Sequence, residues 1–85
     1  MDMSELRAEI DRIDSEIIRL LKTRFDVARE IGEAKKGLDL EVEDLSRDRL
    51  VLENYKENAG NELDEDFIEE LVSLILRYSK EVQKK

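Results

Sequence analysis

Among its 85 residues the chain has no cysteine, no histidine, no proline and no tryptophan. Without thiols there is neither a disulfide framework nor a thiolate metal site, and without imidazole zinc is not expected and histidine acid–base catalysis is excluded. The absence of proline removes the strongest helix breaker. Long apolar runs are missing too: none approaches the ~20 residues that span a bilayer. The opening stretch, MDMSELRAEIDRID, is charged from its second residue and does not resemble a signal peptide. The expectation is a soluble cytoplasmic protein with no membrane partner. Positive charge is scarce, 15 Lys and Arg against 23 Asp and Glu, for a formal net charge of -8. A phosphate backbone wants a basic face, so nucleic acid is not an expected partner. Any anion must be held by specific cations against the global field.

What is present is helical periodicity. Charged residues make up 45% of the chain, yet the 40% that are hydrophobic recur at steps of three and four, which excludes a disordered polyelectrolyte. The reading is an all-α fold of three helices in a single domain, residues 1–85. A domain this small buries only a modest share of its surface alone, so oligomerisation is expected.

The first helix is expected from an N-cap near Ser4 to about Lys36, ended by the glycine of KKGLD. Its apolar stripe runs Leu6, Ile10, Ile13, Ile17, Leu21, Ala28, Ile31. At about 1.5 Å per residue, such a helix is roughly 48 Å long. A compact chain of this size cannot cover it. The second helix starts at Asp44 or Ser46 and stops at AGN, Ala59 to Asn61, with Leu45 inward and Arg49 facing solvent. The third is capped by Asp64, carries acids in its first turn and runs to about Gln83.

Polar residues interrupt these stripes. Arg24 and Lys35 occupy positions of the first helix that the apolar rhythm would bury. Eleven residues is close to three turns, so both point the same way, roughly 16 Å apart along the axis, and bracket a gap the size of one small anion. The plainer account has Arg24 snorkelling and Lys35 at a frayed end. In the third helix, Ile68, Val72 and Ile75 lead to Ser79, with Gln83 one turn on; residues near a chain end are more often merely solvated. Asp48 falls in the stripe of Leu45, Leu52, Tyr55 and Ala59, although a rival stripe runs through Leu50 and Val51. Arg7 lies roughly 25 Å before Arg24 and about 100° around the helix, so one chain cannot close both on one small molecule. In an antiparallel dimer, Arg7 of the second chain could enter instead. On spacing alone the favoured account is an exposed pair with Asp11 at i,i+4.

Taken together, LRAEIDRID, RFDVAREIGEAKKG, VEDLSRDRL and LILRYSKEVQ resemble the all-helical class of chorismate mutases, small intertwined homodimers of three helices per chain. The resemblance covers nearly the whole chain. It implies a cofactor-independent isomerase of the shikimate pathway and aromatic amino acid biosynthesis, which converts chorismate, a dianion, to prephenate. By that resemblance Arg24 and Arg47 hold the substrate carboxylates, with Arg7 arriving from the partner subunit for the same purpose. Lys35 and Gln83 match the donors to the ether oxygen. Asp44 and Asp48 match the acidic pair, the second meeting the ring hydroxyl, and Ser79 orients a carboxylate. One departure stands out: the family's motif has glutamate after the arginine, where this chain has Asp48, one methylene shorter.

The implied rearrangement breaks a C–O bond as a C–C bond forms and needs no nucleophile, metal or proton transfer. What it gains from a protein is restriction to a near-attack geometry and donors preorganised for charge building on the ether oxygen. Gln83 donates at any pH, so a flat rate profile around neutrality is expected. An isochorismate-pyruvate lyase on the same scaffold is the nearest rival reading. A helical dimerisation or regulatory module without catalysis is another. A third is a mutase that works only in complex with another shikimate-pathway enzyme.

Overall fold

The structure is a computed structural model and describes residues 2–85. Three helices follow one another: α1, Met3–Gly37; α2, Leu45–Ala59; α3, Glu65–Gln83. No strand occurs among the described residues. Helix α1 begins slightly earlier than its expected cap. Asp2, not Ser4, is the N-cap, its carboxylate accepting from the Glu5 amide at 2.8 Å. A carboxylate at the positive helix end combines the capping bond with favourable charge, which a serine does not.

The end of α1 also differs from expectation. Gly37 lies within the helix, and the left-handed residue is Asp39, with φ of 56°. The Leu40 amide donates to the Lys35 carbonyl at 2.8 Å and the Asp39 amide to Lys36 at 3.2 Å. Those two bonds form a Schellman closure, and aspartate tolerates the left-handed region better than most residues. Helix α2 is capped by Asp44 and α3 by Asp64, each accepting the amide three residues on. Between them, Gly60 adopts φ 56° and ψ -131°, a conformation that favours glycine.

Helix α3 packs against both α1 and α2, which do not pack on each other. Val51, Ile68 and Val72 form the α2–α3 core, closed by Leu52, Tyr55, Ala59 and Leu76. Leu45, expected inward, is 66% exposed. Asp44 takes the cap, which makes Leu45 the first helical residue and turns it outward; the inward stripe begins at Asp48 instead. Of the rival stripe, Val51 is buried and Leu50 exposed. On the other side of α3, Phe25 meets Tyr78 edge to face, with centroids 4.7 Å apart. Gly32 lets α1 and α3 touch at the backbone: a Cβ there would lie 2.5 Å from the Gln83 carbonyl oxygen.

The molecule is elongated, 55 × 25 × 15 Å, with a radius of gyration of 16.0 Å. A compact chain of this length would have about 12 Å. The excess is the first half of α1, which extends beyond the other helices. Its apolar stripe, Leu6, Ile10, Ile13 and Ile17, is 43 to 56% exposed.

Candidate active site

The residues singled out from the stripes converge on one cavity of about 500 Å³, enclosed by α1, α3 and the start of α2. That volume suits a small organic ligand. Helix α1 contributes Arg24 and Lys35 three turns apart, with Ala28 and Ile31 between them. The loop and α2 bring Val42, Asp44, Arg47, Asp48 and Val51. Helix α3 supplies Leu76, Ser79, Lys80 and Gln83 from one face.

Most of these polar groups are held in place. The Arg24 guanidinium donates to Ser79 Oγ at 2.6 Å, and Ser79, itself buried, donates to the Ile75 carbonyl at 2.7 Å. Serine thereby passes the α3 backbone on to the arginine as an anchor. Lys35 Nζ donates to the Val42 carbonyl at 2.7 Å and to Gln83 Oε1 at 3.2 Å. Because the amide oxygen is engaged with Lys35, the Gln83 NH₂ keeps its donors for a ligand. The Asp44 carboxylate faces the cavity while accepting the Arg47 amide at 3.0 Å, so one residue both starts α2 and lines the site.

Arg24, Lys35 and Arg47 have no carboxylate partner among the described residues, in a chain where acids outnumber bases. Asp48 does have a partner. Lys80 Nζ donates to Asp48 Oδ2 at 2.7 Å and to Glu43 Oε1 at 2.9 Å. Hydrogen bonds to Asp48 and then to Glu43 hold the Lys80 ammonium above the ordinary lysine range, so it is charged throughout neutral pH. Four cations against Asp44 and Asp48 leave the cavity wall two positive charges in surplus. The molecule as a whole carries -8. Even with Glu43 counted against Lys80, the wall keeps a positive surplus, the reverse of the molecule's overall sign, which favours an anion.

Arg7 is absent from this wall; it lies on the extended half of α1. A family model described as chorismate mutase type II matches residues 6–84. The chain belongs to that family. Among curated chorismate mutases, the protein of Methanocaldococcus jannaschii is 28% identical over 92 residues, covering 98% of this chain and 93% of its own length. A bifunctional chorismate mutase/prephenate dehydratase of Aquifex aeolicus is 34% identical over 90 residues, covering 96% of this chain. This chain spans only 25% of that larger protein. A solved structure of a conserved hypothetical protein from Pyrococcus furiosus superposes with a TM-score of 0.78 at 41% identity, covering 95% of this chain and 93% of its own.

Three features of this chorismate mutase family member escaped the sequence reading. Lys80 sits among the charges of the last helix, and its only signal is spacing, one turn after Leu76 and one before Gln83. Gly32 resembles a weak point in a helix rather than a contact. The Val42 carbonyl is backbone, and nothing in its side chain announces it.

Proposed function

We propose that this chain converts chorismate to prephenate, as one domain of residues 1–85 that acts as a homodimer. The observation that carries the reading is the cavity itself, where Arg24, Arg47 and Lys35, with no carboxylate partner among the described residues, meet Ser79 and Gln83 in a wall of net positive charge. Arg24, steadied by Ser79, and Arg47 grip the two carboxylates of the substrate. A guanidinium matches a carboxylate with two parallel donors, which fixes direction as well as distance. Held at both ends, the enolpyruvyl arm stays over the ring, and part of the entropic barrier is removed on binding.

As the C–O bond lengthens, negative charge gathers on the ether oxygen. Lys35 and the Gln83 NH₂ are positioned by Val42 and by each other, so they meet that charge without reorganising. Their interaction is stronger in the transition state than in the ground state, which is what raises turnover. Asp48 accepts from the ring hydroxyl, and Asp44 supports the start of α2 beneath it. Arg7 of a second copy completes the carboxylate grip, because the exposed stripe of α1 gives a second α1 an apolar face to lie on. No helix among the described residues is long and apolar enough to cross a membrane. That fits a cytoplasmic enzyme. The fusion to prephenate dehydratase in the Aquifex relative suggests that a partner of the same pathway works beside it.

The test is loss of chorismate absorbance with purified wild type, Arg24→Ala and Lys35→Ala. Losing the Lys35 donor costs about two orders of magnitude in kcat, typical for one donor to a developing oxyanion. Circular dichroism of both variants matches wild type. Equal rates for all three proteins would sink the site assignment, and isochorismate consumed in place of chorismate would favour the lyase.

A further inference from the structure

A carboxylate in a cavity built for a dicarboxylate is an electrostatic liability. At the few ångströms that separate wall from ligand, each uncompensated like charge weakens binding by on the order of tenfold. Asp48 is such a carboxylate, and Lys80 answers it directly. Their bond is 2.7 Å long, and their side chains are 22% and 25% exposed. The second leg of Lys80, to Glu43, is much wetter, since the Glu43 side chain is 63% exposed. Lys80 also reaches across from α3 to α2, so it fixes where Asp48 stands relative to Ser79 and Gln83.

We propose that Lys80 is a positioning residue of this site: it neutralises and orients Asp48, so that a carboxylate can serve a ring hydroxyl without repelling the substrate's own carboxylates. Through Oδ2 the lysine holds the aspartate, and Oδ1, which accepts no hydrogen bond among the described residues, is left for the hydroxyl. The shortness of aspartate makes this support more important, because a side chain with one rotatable bond fewer than glutamate cannot search for its target. The inference rests on the function proposed above and concerns how that site admits its ligand.

Steady-state kinetics with chorismate tests it on wild type, K80M, K80R, D48N, D48N/K80M and E43Q. K80M raises KM about tenfold, as expected for one uncompensated charge at a partly buried site, and changes kcat less. K80R recovers most of the loss. In the D48N background, where no carboxylate needs neutralising, K80M shifts KM less than about twofold, the signature of a coupled pair. E43Q leaves KM at its wild-type value. A purely structural lysine would instead lower the melting temperature in both backgrounds and leave KM alone. The proposal is overturned if K80M keeps a wild-type KM or raises it equally with and without the Asp48 charge. Should K80M fail to fold, K80Q replaces it in both backgrounds: a KM rise that vanishes with D48N supports the pairing, and an equal rise in both, or none in either, overturns it. Wild type inert toward chorismate overturns the proposed function as well, which the Lys80 variants alone do not.

Discussion

A Cβ at Gly32 would lie 2.5 Å from the Gln83 carbonyl oxygen and 2.7 Å from its Cα. Both are backbone atoms, so no side chain can swing aside. Alanine is worth about 1 kcal/mol over glycine inside a helix. Overpacking against a fixed neighbour costs about 1–3 kcal/mol, and the clash wins. Gly32→Ala therefore lowers the thermal midpoint, and because α3 must shift at Gln83, kcat falls with it. At Gly37, also within α1, an added Cβ meets nothing within 4 Å, and Gly37→Ala raises the midpoint. Calorimetry beside a chorismate assay separates the two. From sequence Gly37 reads as a helix stop and Gly32 as an ordinary interior glycine; neither reading shows the close approach, which depends on where another helix ends. That Arg24, Lys35 and Ser79 line one cavity was legible, since a polar group interrupting an apolar stripe contradicts its own pattern, and Gln83 followed from its place one turn after Ser79. Lys80 interrupts nothing and became visible only against Asp48.

At the scale of helices, α2 is tied to α3 at both ends by lysine. Lys56 near the end of α2 bonds Glu69 at 2.8 Å and Glu65 at 3.1 Å near the start of α3, and Lys80 bonds Asp48 and Glu43 at the other end. Each ammonium is held above its ordinary value of 10.5, Lys56 chiefly by Glu69 and Lys80 chiefly by Asp48. A pKa higher in the folded state means that the folded form binds the proton more tightly. The stabilisation is thus fully present below the unfolded value and is lost as pH rises through the raised one. Urea midpoints of wild type fall above about pH 10.5, and a K56Q/K80Q variant, weaker at neutrality, falls less over the same range. No difference in slope between the two would refute the tethering. The helices themselves were readable from apolar spacing and from Asp44 and Asp64. The two ends of α1 differ from the expected bounds by a residue or two, because Asp2 outcompetes Ser4 for the cap and Asp39, rather than Gly37, turns the chain.

For the whole molecule, the decisive fact is that, among the described residues, the first half of α1 is left exposed. Its exposed Leu6, Ile10, Ile13 and Ile17 lie on the same helix as Arg7, while the cavity that lacks Arg7 is about 25 Å away along the axis. That one chain leaves the stripe exposed was legible from helix length alone, but what covers it and at what crossing was not, since a stripe does not name its neighbour. If two copies pair along α1, each site combines Arg24 of one subunit with Arg7 of the other. Arg7→Ala and Arg24→Ala are then each defective as homodimers, with both sites damaged in the same way. Unfolded together and refolded as an equal mixture, half of the dimers are mixed, and each mixed dimer has one site with both arginines intact and one with neither. Activity rises to about a quarter of wild type, well above either variant alone. An arginine acting within its own chain predicts no such rise, because every site then keeps its single defect whatever its partner. Sedimentation of the same mixture establishes that dimers have re-formed, so that a flat result counts against the shared site and not against refolding.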